Sequence, residues 1–360
     1  TSYVISTLFF VSIWEFKLIK VMKKSVLALL AIFVLISCEK WRNNPNPTLT
    51  SDYRLVTGHI TEDTYWMPDS AYEMVGKVVV DSGVTLTISP GTLIYGRIGD
   101  GAQSTALIVS RGAKIIAEGT ALTPITFTSI LSANQDLDEN DNGLWGGLVI
   151  LGSAPISADA TPSLIEGIPA NETYGLYGGT DSTDNSGILR YISIRHGGAL
   201  LGDGNELNGL TLGGVGSGTI IDNIEVVGNL DDGIECFGGC ATLTNTLVWA
   251  QGDDAFDIDQ AFFGEFINFV SIEGLSSDHA LEIDGGEGDW NAPFSMTEGT
   301  LISLGISEIH FRDKAVGSIS FEGMVNIEAD TLTNVIVDTL HGGADLTKFN
   351  WTMAHYEGAL

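Results

Sequence analysis

Asp232-Gly233-Ile234-Glu235-Cys236-Phe237, Asp254-Ala255-Phe256-Asp257-Ile258-Asp259 and His279-Ala280-Leu281-Glu282-Ile283-Asp284 align without gaps at spacings of 22 and 25 residues. Each follows a β-rich run closing near a glycine (IEVVGN, LVWAQG, VSIEGL). A period in the low twenties, small residues at the turn and alternating apolar and acidic positions after it are what one coil of a parallel β-helix requires. A single coil cannot bury its own apolar face, so coils must stack at the strand-pairing distance of about 4.8 Å. A β-sandwich gives no reason for acids to recur at a fixed offset.

Outward from these repeats, short β-branched runs separated by Gly, Asn, Asp and Ser recur from about residue 53 to 360, with no amphipathic helix among them. Examples are Lys77 to Val80, Val84 to Ile88, Leu107 to Val109, Ile125 to Thr128, Leu148 to Leu151 and Tyr191 to Ile194. The expected fold is all-β, a right-handed, single-stranded parallel β-helix over 53–360. About twelve coils would make a rod of about 60 Å. Residues 131 to 143 and 158 to 186 are polar and lack the strand pattern, so they should loop out from the stack. The closing segment, 349–360, carries Trp351, Met353 and Tyr356 and is expected to cover the last coil, whose strand edge would otherwise invite aggregation.

Alternation turns Ile234, Cys236, Phe256, Ile258, Leu281 and Ile283 inward and makes Glu235, Asp257 and Glu282 an outward ladder. Asp231, Asp253 and Asp278 form a second column, and Asp232, Asp254 and His279 a third. Like charges about 4.8 Å apart repel by about 1 kcal/mol in water and about 3.5 kcal/mol at an effective dielectric of 20. Bound cations, backbone N–H groups at the turns or raised pKa values would each relieve that repulsion. Turn capping is one reading of the Asp231 column, and a ligand site is the other. Capping is unavailable to Glu235, Asp257 and Glu282, which sit on strands, so a ligand site or a solvated groove face remains for them.

The series Asp232-Gly233-Ile234-Glu235, Asp253-Asp254-Ala255-Phe256 and His279-Ala280-Leu281, followed by Arg312 and Lys314, is similar to the active-site motifs of polygalacturonase-type pectin hydrolases, which share the β-helix fold. The resemblance implies Asp253 as general acid, Asp232 and Asp254 as the groups activating water, His279 as the residue orienting the acid, and Arg312 and Lys314 as holders of a substrate carboxylate. An inverting mechanism needs carboxyl groups roughly 6.5–9.5 Å apart, which neighbouring coils supply when side chains diverge. In this chain His279 stands between Asp278 and Ala280 rather than between glycines, and Asp313 separates Arg312 from Lys314.

A broader resemblance covers nearly all of residues 60 to 360. The segments GLWGGLVILG (143–152), IEGIP (165–169), LYGG (176–179), RYISIRHGG (190–198), 205–218 and GDDAFD (252–257) resemble uncharacterised lipoproteins and secreted β-helix proteins of the Bacteroidota. That resemblance implies the fold and an envelope location, and brings no assigned reaction.

Other constellations carry chemistry of their own. Asp138, Asn140 and Asn142 place hard oxygen ligands at alternate positions before Gly143, the first half of a Ca²⁺ loop. Val149 stands where an EF-hand needs its bidentate Glu, so the segment is either another oxygen-rich cation loop or an acidic surface loop. Arg195-His196-Gly197-Gly198 offers a cation and an imidazole at a coil corner, or a hydrogen-bonded turn. Cys236 and Cys240 could close a small disulfide loop, with Cys236 as a small buried apolar residue the alternative. Zinc spacing, a phosphate loop and a dinucleotide fingerprint are absent from the sequence.

At the amino end, Met22, Lys23 and Lys24 precede the apolar run Val26 to Ile36, and Ser37-Cys38 follows. The run is too short to span a bilayer and has the charge and small-residue pattern of a signal peptide over 22–37. Leu35-Ile36-Ser37-Cys38 resembles the bacterial lipobox, which implies diacylglycerol on Cys38 and contact with a membrane through that lipid alone. Residues 1–21 read as over-extended translation, and 38–52, polar with two prolines, as a tether.

The whole chain has 360 residues, 16 Lys+Arg, 46 Asp+Glu and a formal net charge of −30. With 44% apolar and only 17% charged residues it has too much to bury to be disordered. Such acidity repels polyphosphates, so nucleic acid is excluded as a partner. The expected function is that of an outer-membrane lipoprotein, on the periplasmic or cell-surface face, whose β-helix binds glycan or another envelope protein with Ca²⁺ assistance. The alternatives are a polysaccharide hydrolase or lyase acting at Asp232, Asp253, Asp254 and His279, and a structural spacer or adhesin.

Overall fold

The computed structural model describes residues 53–169, 171–200 and 207–360, so the leader, Cys38 and the tether lie outside the described residues. Twenty-two strands form one continuous sheet, in which every neighbouring pair is parallel. The chain winds through three faces per coil, and the fold is a parallel β-helix. Face 2 stacks ten strands: 58–60, 77–80, 106–109, 148–151, 210–213, 234–237, 256–259, 281–283, 307–311 and 325–329. Face 1 precedes it in each coil and face 3 follows.

Among the described residues the stack therefore has ten coils rather than about twelve, a rod of roughly 45 Å. The missing residues sit in the inserts and in the closing segment, which take chain length without adding rungs. The six residues expected to point inward are all buried in one continuous core. Within it the Phe256 ring meets Phe266 and Phe269 edge-on, each at 5.5 Å. Gly233 occupies the small position ahead of the repeat because a Cβ there would stand 2.3 Å from Val248 Cγ1.

The corner between faces 3 and 1 is made inside unbroken strands by one residue per coil at positive φ: Tyr191, Asn223, Asn245, Asn268 and Glu298. Asparagine tolerates this conformation because its short amide can bond locally. Here the amides also bond along the stack. Asn245 Nδ2 donates to Asp222 Oδ1 at 2.9 Å, and Asn268 Nδ2 donates to Asn245 Oδ1 at 2.6 Å.

The 158–186 insert leaves the main sheet, as its composition implies, but then folds back. Ser163–Leu164 pairs antiparallel with Leu176–Tyr177. Ile156, Ile165, Ile168 and Tyr177 pack on Val79, Ile108, Val149 and Leu151, roofing the early half of face 2.

The closing segment corrects the expectation of an end cap. Phe349 and Ala354 pack on Val227, Leu247, Trp249, Val270 and Ile272 of face 1, so the segment is a strap along the side of the middle coils. Glu225, fully buried, receives the Ala354 N–H at 3.2 Å and the Ser193 hydroxyl at 2.7 Å. Among the described residues no strand pairs beyond the last coil. Its strands Val325–Ala329 and Asn334–Asp338 carry Glu328 and Asp338, charges that oppose pairing with another strand.

Candidate functional site

The three repeats enter face 2 through one kind of turn, and the third column is what joins the turns. Asp232 Oδ1 accepts the Asp254 N–H at 3.0 Å, and Asp254 Oδ1 accepts the His279 N–H at 2.9 Å. Each acid thus caps the next coil, a role the sequence suggested for the neighbouring Asp231 column. Asp254 Oδ1 also lies 2.8 Å from His279 Nδ1. Asp253 and Asp278 are exposed beside this pair, and Asp231 is half-buried.

Glu235, Asp257 and Glu282 are direct register partners on consecutive strands. His310 and Glu328 extend the ladder on the next two coils. The surroundings change along it. Glu235 is only 6% exposed beneath the insert, where Asn208 Nδ2 donates to it and Glu166 shares a side-chain hydrogen bond with it. Asp257 is half-buried. Glu282 holds Arg312 Nη1 at 2.8 Å and lies 3.5 Å from His310 Nδ1.

Few positive charges offset these acids. Burial, followed by the neighbouring carboxylates, pushes Asp232, Glu235 and Asp257 well above the usual carboxylate range. Asp254 rises to about 7 through burial and Glu282, against the pull of His279. Asp259 rises to about 7 and Asp284 to about 6, both chiefly through burial. Burial also raises Asp253, with Asp278 and Glu282 adding to it. For His279 burial acts downward, but the bonded Asp254 carboxylate outweighs it, and the imidazole titrates above its ordinary value.

Among the described residues, oxygen atoms of Asp232, Glu235 and Asp257 lie within 4.8 Å of one another, as do those of Asp231, Asp232 and Asp253 and of Asp253, Asp254 and Asp278. A fourth group joins Asp254 and Glu282 to a His279 ring nitrogen. The first three groups are all-oxygen, the donor set of a hard cation such as Ca²⁺. Asn208, whose amide touches Glu235, is 1% exposed, and its Oδ1 has no partner among the described residues. A buried orphan oxygen next to clustered carboxylates fits the same type of ion.

Several sequence candidates lie elsewhere. Asp138 Oδ1 accepts the Asn140 N–H at 2.9 Å and its Nδ2 at 3.2 Å, and Asp138 and Asn140 are both exposed. The loop through Asn142 is thus capped by its own side chain and stands apart from face 2. His196 Nδ1 meets the Asp141 carbonyl at 2.7 Å, and burial drops its pKa to about 4, the state of a turn residue. Cys236 and Cys240 are free thiols, Cys236 fully buried, so no disulfide forms between them. Arg312 joins the ladder, whereas the exposed Lys314 ammonium makes no ion pair among the described residues.

Sequence reasoning missed His310, Asn208 and Glu166. Ile309-His310-Phe311 repeats the apolar-polar-apolar pattern of Leu281-Glu282-Ile283, a signal that would have found the histidine. Asn208 and Glu166 reach the ladder from a loop and an insert, where no period exists to read.

A family model described as a pectate-lyase like beta helix domain matches residues 58–355. Neither a curated protein nor a solved structure matches the chain.

Proposed function

Because the chain belongs to the family of pectate-lyase-like β-helix domains, we propose that it is a glycan-binding scaffold whose acid ladder on face 2 is assisted by Ca²⁺. The observation that carries this reading is the change along one column. Glu235 is buried beneath the insert, Asp257 is half-buried and makes no ion pair among the described residues, and Glu282, also half-buried, meets His310 and the exposed Arg312. The roofed end suits an ion. The open end offers carboxylates, imidazoles and a guanidinium, the mixture of donors and acceptors that sugar hydroxyls need. Asp232, Glu235 and Asp257, with the Asn208 amide oxygen, would hold the cation, which supplies charge neutralisation when bound. Asp253, Asp278, Glu282, Arg312 and Lys314 would contact the saccharide and set its position.

Calorimetric titration with Ca²⁺, with and without chelator, followed by glycan-array binding, tests the reading. Saturable Ca²⁺ binding that Asp257→Asn reduces at least tenfold is expected. Absence of both ion and glycan binding overturns it.

A second reading, polysaccharide hydrolysis, rests on the contact between His279 Nδ1 and Asp254 beside the exposed Asp253, whose raised pKa suits an acid. Two of its proposed groups, Asp232 and Asp254, each commit an oxygen to a backbone N–H, which favours the scaffold reading. Equal release of reducing ends from uronate polymers by the protein and by Asp253→Asn eliminates hydrolysis at this position. Envelope anchoring through Cys38 is part of the proposal, and Cys38→Ala is expected to move the protein from the membrane to the soluble fraction.

A further inference from the structure

The outward column of face 2 begins with His59, far from the acids and on the other side of the patch roofed by the insert. His59 lines a cavity of about 430 Å³, whose other walls come from coil turns at Asp81, Ser110 and Arg111 and from the insert at Glu172 and Tyr174. This volume lies within the range of about 300–1,000 Å³ typical of small-molecule pockets.

Its side chains are held in place by the protein. Asp81 Oδ1 fixes His59 Nδ1 at 2.6 Å, which leaves the other ring nitrogen for a ligand. Arg111 Nη1 donates to the Gly178 carbonyl of the insert at 2.8 Å, so the guanidinium is anchored with further N–H groups to spare. The Tyr174 ring stands edge-on to His59 at 5.8 Å. Ser110 is 6% exposed, and its hydroxyl has no hydrogen-bond partner among the described residues. A buried hydroxyl lining a cavity without a partner is a cost that an incoming polar atom removes.

We propose that this cavity binds a neutral, hexose-sized sugar. The walls carry charges of both signs, Arg111 against Asp81 and Glu172, and Asp81 is already bonded to His59, so an ion of either sign meets a like charge there. What remains is a ligand that gives and accepts hydrogen bonds without net charge and has C–H faces for the aromatic ring, which describes a pyranose. The site stands on its own side chains and does not depend on the acid ladder.

Saturation-transfer NMR on the full chain, with methyl glycosides of glucose, galactose and mannose and with galacturonate, tests the proposal. Binding of at least one neutral glycoside is expected. Both Tyr174→Ala and Ser110→Val should weaken it at least tenfold, while Leu332→Ala, at an exposed turn of the last coil, leaves it unchanged. Tyr174 is half-buried and outside the main core, so its removal spares the stack, and circular dichroism verifies this. A matching trisaccharide that binds more tightly than the monosaccharide identifies a chain end as the source, whereas equal binding identifies a free sugar. Absence of neutral-sugar binding, a preference for galacturonate, or binding undiminished in both variants overturns the proposal.

Discussion

Asp254 has two duties at the scale of one residue, because the oxygen that caps the His279 N–H also faces the imidazole. Its folded pKa of about 7 stands above the ordinary 3.8. The stability it contributes is therefore fully present below about pH 4 and is lost as pH rises through about 7. Asp259 and His279, both raised, act in the same direction. His196, lowered to about 4, opposes them, since its contribution is lost as pH falls from about 6.5. A comparison of variants isolates the acid. In chelator, the parent's melting temperature is expected to decline between pH 5 and pH 8, and Asp254→Asn, which keeps the capping oxygen, to flatten that decline. An unchanged slope in calorimetric scans would refute the assignment.

At the scale of the element, the corner between faces 3 and 1 depends on asparagine at positive φ. Asn245→Ala loses both the tolerated conformation and a rung of side-chain bonds, at a cost of about 1–2 kcal/mol in urea denaturation. Asn245→Gly is expected to recover the conformational part. The strap is the second such element. Glu225→Ala leaves the buried Ala354 N–H unpaired, and a loss of about 1–3 kcal/mol with faster amide exchange at Ala354 is expected. These two elements also mark how far the sequence could be read. The repeats at Asp232, Asp254 and His279 disclosed the coil and the register of the ladder because stacked rungs impose a period. Phe349 and Ala354 belong to no period, and their partners Val227, Leu247 and Val270 look like ordinary strand residues, so lateral packing was invisible. The insert was recognisable as a departure from the pattern, but the side chains it brings to Glu235 were not. Turn capping was foreseen one residue away from its actual position, because adjacent Asp231 and Asp232 differ only in where the turn aims them.

At the scale of the molecule, acids gathered along one side of a rod repel one another unless something neutral or positive intervenes. Addition of Ca²⁺ in millimolar excess at pH 8 is therefore expected to raise the melting temperature, and Glu235→Gln to reduce that rise. Differential scanning fluorimetry checks both. A stack of coils that touch only their neighbours loosens rung by rung from its ends. The strap changes that mechanics. Bonded to Asn268 at Asp345 and to Glu225 at Ala354, it clasps rungs that are remote from it along the chain. Under tension applied between residues 53 and 340, the outer rungs should peel in small successive steps, while the clasped middle yields later in one larger rupture.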